Sequence, residues 1–322
     1  MRKKHPGDFA SKGEGEQPRQ APASACLSPL AAPCRSAANW SALGGHEPAR
    51  ENAREQTPCG PFDQMVIFRL PAWAHFPIES ALRLTALLRN ALMAIADGFN
   101  RLTPFLHGHA PLCEPPLPHV AFAALADVAH AKATGKIEGL AVILPRHHSL
   151  VEHRNFMQLL DRLEELRSAD LPMPLALQRE SGRARAPAHL ALHPETWRRR
   201  SQLWATVTPV VLDRYPKRKL PPEKIVRESI QRAGLPAPNT VLCSPYSQLA
   251  AVPPAGQFLL RRKPDEPRKW AVHACIEFHE PVRGPLLLGS GRFFGLGLFK
   301  PLEASQRQVD DDSSRLPSGS GP

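Results

Sequence analysis

Apolar residues come in short runs broken by proline, glycine and charge, and both chain ends lack such runs. Met65–Leu70 (MVIFRL) reads as a short apolar strand. Pro77 then opens a helix whose broad apolar face carries Leu82, Leu84, Leu87, Leu88, Leu92, Met93 and Ile95, with Gly98 as its stop. His119–Leu125 and Ile137–Pro145 are two further strand candidates. Ser149 and Glu152 have capping-box spacing and start a helix bearing Phe156, Leu159, Leu160, Leu163 and Leu166. Pro174–Gln178 follows as a closing strand. The order β-α-β-β-α-β is that of the ferredoxin-like unit.

A second, less complete unit follows. Leu203–Leu212 reads as a strand with Trp204, Thr206, Thr208 and Val210 on one face and Ala205, Val207 and Val211 on the other. Pro222 starts a helix through Ile225, Val226 and Ile230, ended by Gly234 and Pro236. Strands at Thr240–Cys243 and Trp270–Phe278 precede a glycine-rich run, GPLLLGSGRFFGLGLFKP. The pattern predicts an α+β protein of tandem ferredoxin-like (RRM-like) domains, 61–180 and 181–302, with a C-terminal glycine-rich loop. Residues 1–60, rich in Ala, Pro, Gly and Ser, read as a disordered or non-homologous segment, and 303–322 as a disordered tail.

Composition narrows the class. Proline is 36 of 322 residues, roughly twice ordinary usage, which disfavours long helices. No apolar run approaches the ~18 residues of a membrane span. The N-terminus MRKKHPGDFASKGEGEQ lacks the apolar stretch of a secretory signal. Cys26, Cys34, Cys59, Cys113, Cys243 and Cys275 form no C-x-x-C and fit ordinary thiols in a reducing cytoplasm. Net charge is +11, and Leu177–Leu220 holds ten basic residues against three acidic ones. Such concentration is the footprint of a polyanion binder, although a solvated loop also carries charge this way.

In the glycine-rich run, Gly289, Gly291, Gly295 and Gly297 surround Arg292. Exposed amides plus one arginine suit a sugar-phosphate backbone. A bulged β-hairpin whose glycines only allow tight packing accounts for the same spacing. The spacing fits neither the dinucleotide fingerprint nor a Walker A loop.

The segment GPLLLGSGRFFGLGLFKPL resembles the C-terminal glycine-rich loop of CRISPR-associated RAMP proteins, specifically the repeat-processing endoribonucleases. PHVAF (118–122), IEGLAVILPR (137–146), WATVTPVVLDRYPK (204–217), GLPAP (234–238) and HACIEFHEPVRGP (273–285) are similar to the fused Cas five–Cas six protein of type I-G (formerly I-U) systems. The resemblance spans about Met65 to Leu302. It implies two RRM-like domains, cleavage of precursor CRISPR RNA within repeats, and retention of the guide in a surveillance complex of a prokaryotic cytoplasm. The partners implied are repeat RNA and other subunits of a type I effector complex, with no membrane and no cofactor. The fused family also begins with a backbone-subunit module, for which residues 1–60 show no counterpart. The family loop Gly-His-x-His-Ala-Asp-Gly reads here Ala129-His130-Ala131-Lys132-Ala133-Thr134-Gly135, keeping one His.

Metal-independent RNA cleavage needs a base for the 2′-OH and a donor for the charged phosphorane. His130 matches the family loop and is the candidate base, with Lys132 as phosphorane stabiliser. Arg292, the four loop glycines, Arg214 and Lys217 form the candidate RNA-binding set. His119 and His273 read as structural. His107-x-His109 and His147-His148 lack a carboxylate or Cys at ligand spacing, so no metal is expected. The incomplete loop leaves a non-catalytic RNA-binding subunit as a second reading. A ferredoxin-like protein-interaction domain is a third.

Overall fold

The computed structural model describes residues 57–96, 103–108, 119–148, 150–180, 190–258 and 269–302. The expectations for both chain ends, the Gly98 stop, the Ser149 cap, His109, Cys26, Cys34, Cys113 and the basic residues at 183, 185, 261–263 and 268 lie outside these residues.

The protein is mixed α and β with antiparallel sheets. Strand β1 (Phe62–Arg69) is followed by a 3-10 turn at Ile78–Ser80 and helix α1 (Ala81–Ala96). The fully buried stripe of α1 is Ala81, Leu84, Leu88, Leu92 and Ala96, while Leu82, Leu87, Met93 and Ile95 pack along its margins. Each such leucine contributes about 1.5–3 kcal/mol of burial. A short helix α2 (Thr103–His107) leads to β2 (Ala121–Ala126) and β3 (Ile137–Pro145). Helix α3 (Leu150–Leu160) and the two-residue strands β4 (Glu165–Leu166), β5 (Leu175–Ala176) and β6 (Gln178–Arg179) complete this half. The sheet order is β2-β3-β1-β6. The expected closing strand at 174–178 is two pieces: Leu175–Ala176 pairs with β4, and Gln178–Arg179 pairs with β1. The Leu177 amide donates to Glu164 O (2.8 Å), and Glu180 N donates to Ile67 O (2.8 Å), so the chain changes partners within a few residues.

Helix α4 (Pro194–Arg198) precedes β7 (Arg200–Thr206), β8 (Val210–Val211), α5 (Pro222–Arg232), β9 (Pro238–Ser244), β10 (Ala271–Arg283) and β11 (Phe299–Pro301). The long β10 is central. It pairs with β9 on one side, and with β7 and then β8 on the other, while β11 lies on β7. The single strand expected at 203–212 is broken at 207–209. Pro209 has no amide to give a ladder, and the neighbouring polar groups turn to Leu298. Val207 N donates to Leu298 O (2.8 Å), and Leu298 N donates to Thr208 Oγ1 (3.0 Å).

The alternation along β7 and β8 does set the faces. Trp204 and Val210 pack with Ile225, Val226 and Ile230 of α5. Ala205, Val207 and Val211 join the larger core with the first sheet and α1. Along β7 and β8 the second sheet is therefore covered on both sides, and what lies between the sheets is apolar.

Candidate functional site

The singled-out residues other than Arg214 and Lys217 gather in two places, at opposite ends of β2. The first is the segment 284–298 between β10 and β11. It doubles back on itself: Leu288 N donates to Gly297 O and Phe299 N to Leu286 O, both at 3.0 Å. Its tip then crosses to the first sheet. Phe122 N on the open edge of β2 donates to Phe293 O (3.3 Å), and the Thr85 hydroxyl of α1 donates to Phe294 O (2.8 Å). Gly295 (φ +86°) lies so close to Thr85 that a Cβ would stand 2.6 Å from its side chain. Gly297 (φ +73°) is tighter, with a Cβ placed 2.0 Å from Leu288 O. The Gly289 and Gly297 amides are satisfied internally, by Ser229 Oγ (3.0 Å) and Pro209 O (2.9 Å). Gly291 packs against Leu296 and Val211. The contacts of these glycines are those of close packing, and the cationic side chain on this hairpin is Arg292.

Arg292 is half-buried beside a cleft of about 170 Å³ lined by Phe62, His119, Ser229, Arg232 and Phe293 among others. Its Nη1 donates to Gly289 O (3.0 Å), and its guanidinium lies 4.4 Å from the Phe293 ring centre. Phe293 stacks in turn on His119 (3.8 Å between ring centres). His119 Nδ1 lies 3.1 Å from Val120 O. Burial lowers the Arg292 pKa; Asp213 acts in the opposite sense and Arg232 adds to the lowering. An arginine so placed stays charged. Arg232 is itself ion-paired with Asp213.

The second place is the loop after β2. His130 Nε2 lies 2.5 Å from Asp127 Oδ1. Asp127 Oδ2 also accepts from the Thr134 amide (3.0 Å) and hydroxyl (2.9 Å). Burial alone would raise the Asp127 carboxyl, but the hydrogen bonds from His130 and Thr134 hold it below its ordinary range. An ionised carboxylate only accepts, so Nε2 carries the proton and Nδ1 of neutral His130 keeps its lone pair. Ala129 adopts φ +70°, and its amide donates to Ala250 O (3.1 Å), tying this loop to the one before Val252. Lys132 is exposed on the same loop, with no side-chain partner among the described residues. The cation built into this end is Lys300 of β11, whose Nζ donates to Val128 O (2.8 Å). Burial and then Arg199 lower its pKa, against the pull of Asp127.

His119 precedes β2 and Asp127 follows it, so the two places are separated by about 25 Å of extended strand. Of the remaining candidates, Arg214 is ion-paired with Glu228, and Lys217 is exposed at a tight turn. Asp127, Thr134, Lys300 and Arg232 were not singled out by sequence. Only Asp127 left a local signal, an acid three residues before the histidine.

A family described as "CRISPR-associated protein, GSU0054 family" has a model that matches residues 67–301. That span runs from within β1 to the end of β11 and covers most of the chain. The chain belongs to this CRISPR-associated family. No curated protein matches it. Membership in the GSU0054 family gives the chain a role in a CRISPR system, and the matched span contains both the Asp127–His130 loop and the Arg292 hairpin.

The histidine pair of this GSU0054-family chain after β3 is bonded internally. His148 places Nδ1 2.7 Å from Pro145 O and Nε2 3.0 Å from His153 Nδ1. Among the described residues, no group of three or more His, Cys, Asp or Glu could hold a metal ion, and no helix is long and apolar enough to cross a membrane. Burial, with the Glu223 charge adding, pushes the Cys243 thiol up to about 12, so it is not a nucleophile near neutral pH.

His273 is buried on β10, with Nδ1 2.9 Å from Thr206 Oγ1 and Nε2 3.0 Å from Pro253 O. Burial pushes its pKa down to about 4, although the bond to Pro253 O acts the other way. The unfolded chain therefore binds this proton more readily. Stability is full above an unfolded pKa of about 6.5 and falls by about 3 kcal/mol as pH drops to about 4. In urea unfolding at a series of pH values, His273→Gln should remove that slope; an unchanged slope would assign the acid sensitivity elsewhere.

Proposed function

We propose that this chain binds precursor CRISPR RNA and cuts it within repeats, without metal, leaving a 2′,3′-cyclic phosphate. On this reading it is a RAMP-class endoribonuclease, akin to the C-terminal part of the fused Cas five–Cas six protein. It keeps its product in a type I effector complex. The observation that carries the reading is the Asp127–His130 pair on an exposed loop of a CRISPR-family chain. His130 Nδ1 takes the 2′-OH proton, O2′ attacks phosphorus, and O5′ takes a proton from water as the P–O5′ bond breaks, the hydroxide so formed being neutralised by the His130 imidazolium. Lys132 stabilises the phosphorane charge, and Lys300 adds positive potential from beneath the loop. Arg292, with Arg232, grips backbone phosphate at the far end of β2, a span that a few nucleotides of single strand can cover.

The strand order supports tandem ferredoxin-like domains. β2-β3-β1-β6 is the order of that unit, and β9-β10-β7-β11 repeats it with the hairpin in place of the second helix. The incomplete loop, with Lys132 and Thr134 where the family pattern has its second His and its Asp, favours one alternative, a subunit that holds RNA without cutting it.

Filter binding of repeat RNA across a salt series tests the grip. Log affinity should fall linearly with log salt, and Arg292→Gln should weaken binding and reduce the slope by about 1. Absence of binding at low salt would leave a protein-interaction domain instead.

A further inference from the structure

We propose that Tyr215 and Trp270 form a base-stacking platform for single-stranded RNA, continuing the track that begins at the Arg292 cleft. The inference rests on the RNA-binding reading above, and not on cleavage by His130.

Tyr215 is 60% exposed and Trp270 44%, whereas Trp197 and Trp204 are buried completely; Trp73 is as exposed as Trp270, at 45%, but no aromatic pair forms around it among the described residues. Their ring centres are 5.5 Å apart at 78°, edge to face, so each keeps an open surface. The two residues come from separate segments, the turn after β8 and the residue before β10. Leu212 N donates to Trp270 O (2.8 Å), which fixes the segments side by side through the main chain. The turn that carries Tyr215 also carries Lys217, Arg218 and Lys219, all exposed and with no ion-pair partner among the described residues. Reciprocal bonds between Lys217 and Leu220 (3.0 and 2.8 Å) close that turn.

Two acids nearby are ion-paired, Asp213 with Arg232 and Glu228 with Arg214. Two open π-surfaces rimmed by unpaired cations are what a single strand requires, bases on rings and phosphates on ammonium and guanidinium groups. An apolar protein partner would instead want an apolar rim. The patch also continues the cleft, because Asp213, two residues before Tyr215, pairs with Arg232 and acts electrostatically on Arg292.

The test titrates labelled oligouridine and labelled polyglutamate, a polyanion without bases, against the full chain. Tyr215→Ala/Trp270→Ala should weaken oligouridine binding roughly tenfold or more and leave polyglutamate unchanged. Tyr215→Phe/Trp270→Phe should bind like the parent. Lys217→Ala/Arg218→Ala should weaken both ligands. The single Tyr215→Ala variant, at the more exposed ring, gives the same reading if the double variant fails to fold. Unchanged oligouridine affinity after ring removal overturns the platform alone. An equal loss for polyglutamate also overturns it and makes the patch a site for acidic protein. If the parent chain binds neither repeat RNA nor oligouridine, the platform and the RNA-binding reading fall together.

Discussion

Replacing His130 by alanine should slow cleavage of repeat RNA in EDTA about 10²–10⁴-fold, the range general-base catalysis contributes. RNA affinity should stay within a factor of about two, because the phosphate grip proposed at Arg292 lies about 25 Å away along β2. The split between rate and affinity is the informative part. Asp127 holds Nε2 and leaves Nδ1 to accept a proton, so the imidazole acts through one atom rather than as a general cation. A loss of binding in parallel with rate would make His130 a phosphate ligand. Unchanged cleavage would remove it from the mechanism.

The largest stability effect should come from Gly297→Ala. A Cβ at φ +73° costs about 1–2 kcal/mol, and relieving its 2.0 Å approach to Leu288 O adds about 1–3 kcal/mol. The expected loss in urea unfolding is therefore about 2–5 kcal/mol. The neighbour at fault is backbone, so no side chain can swing away. Gly256→Ala is the control: nothing lies within 4 Å of its added Cβ, and its effect should stay within about 1 kcal/mol. A Gly297→Ala variant as stable as the parent would mean that the hairpin is not held against Leu288. Where the variant still folds, RNA binding should weaken with it, since Gly297 anchors the hairpin that presents Arg292.

Local pattern was enough where local forces decide. Ile137–Pro145 forms a strand with the bounds expected from its apolar run, because that run is buried along nearly its whole length. The alternation at 204–211 put Trp204 and Val210 on one face and Ala205, Val207 and Val211 on the other, and the structure packs the first against α5 and the second toward the other sheet. The break at 207–209 had a local sign in Pro209, which has no amide for a ladder, but the partner that Val207 N and Thr208 Oγ1 take instead, Leu298, lies far along the chain and left none. The site divides the same way. His130 was named from its loop, and the structure adds its partner Asp127. Asp127 was close enough to notice, but the family pattern directs attention to residues after the histidine. Lys300 reaches Val128 only because β11 pairs with β7, opposite Ala205, and Arg232 reaches the cleft from the end of α5. Neither leaves a trace in local spacing. The glycines gave a pattern consistent with ligand approach or with packing; the contacts around Gly295 and Gly297 are those of packing.

The most direct measurement incubates the purified chain with CRISPR repeat RNA in EDTA and determines the ends of any product. The expected result is cleavage within the repeat leaving a 2′,3′-cyclic phosphate, abolished by a 2′-deoxy substitution at the scissile nucleotide. An intact RNA under conditions where the protein binds it, or cleavage that persists without the 2′-hydroxyl, would contradict the account.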